Sequence, residues 1–122
     1  MSNPAAAAYA RVATTTASAR DIEAQTLLKA ANKLQEAINS ADPRSEQTRQ
    51  ALLYNRKLWT VFLSEMTDAN NPMPRDLRQN VANIGLFVMN HTVKAMTDPR
   101  PVHLGSLINI NREVAAGLLG RA

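Results

Sequence analysis

Acid–base or metal chemistry in this 122-residue sequence would rest on two histidines, because cysteine is absent and no nucleophile sits beside a base. His91 and His103 belong to different predicted elements, and neither has Asp, Glu or His at metal-ligand spacing. No acidic residue lies one helical turn from His91 on either side. There is no Gly-rich phosphate loop, no Gly-x-Ser-x-Gly elbow and no pair of carboxylates on one helical face. The chain is therefore expected to have no catalytic, metal or cofactor site, with both histidines as ordinary core or surface residues.

Hydrogen bonding is the more informative chemistry. Asn80, Asn83, Phe87, Asn90 and His91 recur at three- and four-residue spacing, which sets them along one side of a helix. Asparagine is a mediocre helix former because its amide competes for backbone groups, so three on one stripe call for a reason. Two readings stand: a buried amide network that fixes helix pairing, or a polar-rimmed groove that hydrogen-bonds a partner. The stripe is expected to be at least partly exposed. Asn55 and Asn111 interrupt apolar stripes elsewhere and are expected as the buried kind. Trp59, the sole tryptophan, has Tyr54 and Phe62 nearby and is expected in the core, a partner hot spot being the alternative. Arg56, Lys57 and Arg112 are expected as solvated charges, and the five methionines as gap fillers.

These residues need helices to position them. No run alternates apolar and polar residues with β-branched enrichment, and no 20–50-residue repeat is present. Helical periodicity recurs between proline-rich breaks. A short Ala-rich helix is predicted over Pro4–Ala17, weakened by Thr14-Thr15-Thr16. A second follows a capping box at Ser18 and Asp21 and runs to about Asn39. The third spans Pro43 to about Thr67, with Asp42 as N-cap and Pro43 in the first turn. The fourth spans Pro74 to about Thr97; it is apolar almost all round from Ile84 to Met89, as the buried centre of a bundle would be. The fifth covers about Leu104 to Leu119, with Gly120 ending it. The expected fold is all-α, a single-domain antiparallel bundle of about five helices over residues 1–122.

Composition agrees with one globular domain: 45% of residues are apolar and 20% charged. The N-terminus lacks a basic segment followed by a Leu-rich one, so no secretory signal is expected. The run Ile84–Met89 is far short of the ~20 apolar residues that span a bilayer. A location inside the cell, without membrane insertion, is expected. Fourteen Lys and Arg against ten Asp and Glu give a net charge of +4. The cations are scattered, Arg56-Lys57 being the only adjacent pair, and that disfavours a nucleic-acid surface.

The same segments carry a family resemblance. Ala51-Leu52-Leu53-Tyr54-Asn55-Arg56-Lys57-Leu58-Trp59, Asn71-Pro72-Met73-Pro74, the block from Gln79 to Thr92, and Ile110 to Leu118 resemble the flagellar biosynthesis regulator FlaF family, as do Ala8-Tyr9 and Glu23-Ala24. The similarity covers nearly the whole chain in order. It implies a cytoplasmic protein needed for flagellin synthesis and export, binding the helical terminal segments of flagellin as a secretion chaperone does. It also implies a functional pairing with FlbT, a regulator of flagellin mRNA translation. Candidate partner-binding residues are Asn80, Asn83, Phe87, Asn90, His91, Tyr54, Arg56 and Arg112. The alternative function is post-transcriptional regulation of flagellin mRNA, with or against FlbT. Direct RNA binding is disfavoured, since it normally uses stacking aromatics within a basic face.

Overall fold

The computed structural model describes residues 4–120, with the backbone alone described over 5–18. Four helices make up the fold: α1 Pro4–Ile38, α2 Glu46–Met66, α3 Arg75–Thr97 and α4 Pro101–Leu118. Among the described residues there is no strand.

The count is four and not five because the first two predicted helices are one. Between Ala5 and Ile38 there is neither proline nor glycine, and each threonine of the Thr14–Thr16 run costs at most about 0.7 kcal/mol relative to alanine. Extending a formed helix adds one hydrogen bond per residue fixed, so a mild propensity dip does not end it. The Ser18–Asp21 pattern, expected as a cap, lies inside α1.

The other ends are set by specific groups. Asp42 does not cap α2; its Oδ1 accepts the Arg44 N–H at 2.9 Å in a local turn. Ser45 caps instead, its hydroxyl accepting from the Thr48 N–H at 3.3 Å. Between α2 and α3, the Arg78 guanidinium donates to the carbonyls of Met73 (3.1 Å) and Asp68 (2.9 Å), and more weakly to Met66 (3.4 Å). One cation thus satisfies carbonyls that the end of α2 leaves open. Pro101 does not break the chain ahead of the last helix but occupies its first turn, where a missing N–H costs nothing, so α4 begins three residues before Leu104. Gly120, at φ +73°, closes it in the left-handed conformation that suits glycine.

Each helix packs on two others. The largest interfaces are α1 with α4 and α2 with α3, then α1 with α2; α3 with α4 is the smallest. The backbones of α2 and α4 do not approach within 8 Å at any residue pair. The core between the helices holds Leu27, Leu34, Leu52, Trp59, Val88 and Leu107, all fully buried. Gly85 of α3 lets α2 come close, since a Cβ there would lie 2.5 Å from Leu63 Cδ2 and 3.2 Å from Trp59 Cε3.

Inside this core, Asn111 of α4 donates from Nδ2 to Asn55 Oδ1 of α2 at 2.7 Å. Its Oδ1 accepts from Trp59 Nε1 at 2.9 Å. All three residues are completely buried. Asn55 and Asn111 are the network expected of amides on apolar stripes, and Trp59 is core. The expectation that α3 is the buried centre does not hold. Its inner face buries Val81, Ala82, Gly85, Val88, Thr92 and Ala95, while Leu86 (60%), Phe87 (53%) and Val93 (61%) stand exposed. When each of four helices packs on two neighbours, none is central and each keeps an outer face.

Replacing Asn111 by Ala should strand both the Trp59 indole N–H and the Asn55 carbonyl. Each stranded group costs about 1–3 kcal/mol, and urea unfolding of Asn111→Ala should show a loss in that range or above.

Candidate functional site

The outer face of α3 carries the polar stripe. Asn80, Asn83, Phe87 and Asn90 are exposed and His91 is half-buried. Asn83 Oδ1 accepts from Gln79 Nε2 at 3.0 Å within the same exposed face. The amides are therefore solvated, in contrast to Asn55 and Asn111, and they are free to hydrogen-bond a partner.

The stripe is divided between two flanks. Towards α4, Asn80 and Phe87 border a groove of about 510 Å³ whose apolar walls include Val81, Ile84, Ile110 and Val114. Towards α2, Asn83 and Leu86 border a second depression of about 360 Å³, beside Arg75 and Arg78.

At the α4 end the stripe becomes aromatic. The Phe87 ring stacks on His91 at a centroid distance of 5.4 Å and 16° between planes. His91 in turn meets His103 of α4 edge to face, at 5.4 Å and 68°. His103 Nε2 lies 3.4 Å from Asp98 Oδ2, which also accepts from Arg100 Nε at 2.8 Å. The two histidines, read from sequence as unrelated, are thus neighbours. The signal available in the sequence was the four-residue spacing of Phe87 and His91; nothing local announced His103. Burial pushes the His91 imidazole below its ordinary pKa of 6.5, and the nearby His103 adds to this. His91 Nε2 is buried without a hydrogen-bond partner. Arg100, followed by His103, holds the Asp98 carboxyl below the usual carboxylate range.

Three predicted residues lie elsewhere or act alone. Tyr54 is half-buried and faces α1, with Lys33 Nζ at 5.0 Å and Lys29 Nζ at 6.0 Å from its ring centroid. Arg56 and Arg112 are exposed and form no salt bridge among the described residues.

One titratable group was missed altogether. Glu23 of α1 has its pKa raised to about 7 by burial and by the neighbouring Glu65 carboxylate of α2, Arg20 opposing. Carboxylates 42 positions apart give no local signal, and a search along single helices passes over them. No group of three or more His, Asp or Glu among the described residues could hold a metal ion. No helix among them is long and apolar enough to cross a membrane.

A family model described as flagellar protein FlaF matches residues 5–118. No curated protein and no solved structure matches the chain significantly.

Two expectations follow from this geometry. Asn83→Ala and Asn90→Ala should each change stability by no more than about 0.5 kcal/mol in thermal melts, because exposed amides leave no partner stranded. Glu23 has a folded pKa of about 7 against 4.5 ordinarily, so the folded chain holds the extra proton between these values. Its stabilising share is complete below the lower value and lost as pH rises through the higher one. Glu23→Gln, which cannot ionise, should therefore gain melting temperature relative to the parent as pH is raised from about 5 to about 8.

Proposed function

The chain belongs to the flagellar protein FlaF family, and we propose on that premise that it binds flagellin and acts as its export chaperone. The observation that carries the proposal is the outer face of α3. Solvated amides at Asn80, Asn83 and Asn90 alternate there with exposed Leu86, Phe87 and Val93 beside an apolar groove. Apolar side chains this exposed on one helix mark a contact surface, and the amides supply its orientation. A helical terminal segment of flagellin presents the matching chemistry, an apolar face that must be covered until export. Action is by binding and not by catalysis, in the cytoplasm, where flagellin is made. FlbT enters as a partner in controlling flagellin synthesis.

Co-expression with flagellin followed by size-exclusion chromatography tests this. A soluble complex that dissociates when Phe87 and Leu86 are replaced by Asp is the expected result. If flagellin stays insoluble or elutes separately, the chaperone function is wrong. Flagellin mRNA co-purifying instead, with affinity falling steeply as salt rises, would favour translational regulation through RNA.

A further inference from the structure

Two details of the α3–α4 groove restrict what fits in it. Gly117 borders the groove in the last full turn of α4, and a Cβ built there meets nothing within 4 Å. Glycine inside a helix is less favourable than alanine, and the space around it would accept a side chain. Glycine is expected at such a position where another backbone must come close. One turn earlier stands Glu113, among the described residues the only charged one on the groove, exposed and without a salt bridge to any of them. Glu113 and Gly117, four residues apart, share one face of α4.

From Leu77 to Phe87 the α3 wall runs for about 15 Å, or roughly three helical turns. The geometry points to one occupant: an amphipathic helix of a separate polypeptide, its backbone passing closest at Gly117 and a Lys or Arg of that helix facing Glu113. This deepens the flagellin proposal and rests on it. A second copy of this chain fits poorly. A two-fold contact on this groove would have to find a partner for Glu113 in the same lining, and among the described residues no cation lines it. The net charge of +4 opposes self-association further.

The test measures flagellin affinity for the full chain and three variants, each checked for folding by circular dichroism and thermal melting. Gly117→Leu adds a side chain on the groove where a Cβ meets nothing within 4 Å, and leucine favours helix over glycine, so it should melt at or above the parent temperature yet bind at least about tenfold more weakly. Glu113→Lys should bind about fivefold or more weakly, with the deficit shrinking as salt is raised. Glu36→Lys, the same charge change on α1, should stay within about twofold of the parent. Flagellin bound normally by folded Gly117→Leu and Glu113→Lys overturns the groove assignment and leaves the chaperone function standing. No complex with the parent chain removes both. A parent dimer that Gly117→Leu converts to monomer makes the occupant a second copy and also overturns the assignment.

Discussion

The indole–amide relay Trp59–Asn111–Asn55 is the constraint to which the remaining packing answers. Its three side chains are fully buried, and they join α2 to α4, whose backbones never come close. Apolar contact is permissive about register, because one leucine packs much like another one turn away. A buried amide is not: moving α4 by one turn would leave an indole N–H and two amides without partners, each desolvated for nothing. The relay therefore fixes the height and rotation of α4 against α2, and α1 and α3 fill the spaces beside both. One donor, Asn55 Nδ2, has no partner among the described residues.

Because the polar bond lies inside, the outer faces are left to other uses. Gly85 brings α3 close against Trp59, and the larger side chains Leu86 and Phe87, with Val93, turn out. The asparagines of the same face keep these apolar groups interspersed with solvated amides. On the proposed function, that mixture would offer a client both apolar area and hydrogen bonds.

Much of this was legible from residue types alone. Prolines at 43, 72, 74, 99 and 101 mark the connections, and the uninterrupted helical periods between them give an all-helical chain. Asn55, Asn111 and Trp59 were readable because a polar residue on an apolar stripe must be satisfied from another element. The break at Ser18 was misread because a capping motif is a local preference, whereas the continuation of α1 is cooperative over many residues. The six-residue apolar run on α3 misled for a different reason. Composition reports how much apolar surface a helix has, not how much of it the other helices are able to cover. The His91–His103 contact and the Glu23–Glu65 pair depend on which helices become neighbours, information that no single segment holds.

The inequality of the helix interfaces has a mechanical meaning. α2 and α3 share a large interface and a connection stitched by the Arg78 guanidinium; α1 and α4 share the largest of all. The helices thus form two closely packed pairs, joined at the core by the relay, and α3 against α4 is the smaller of the two seams between them. The groove runs along that seam. On the proposed function, a client helix seated there would touch one member of each pair and act as a clasp, tying opening of the empty seam to release of the client.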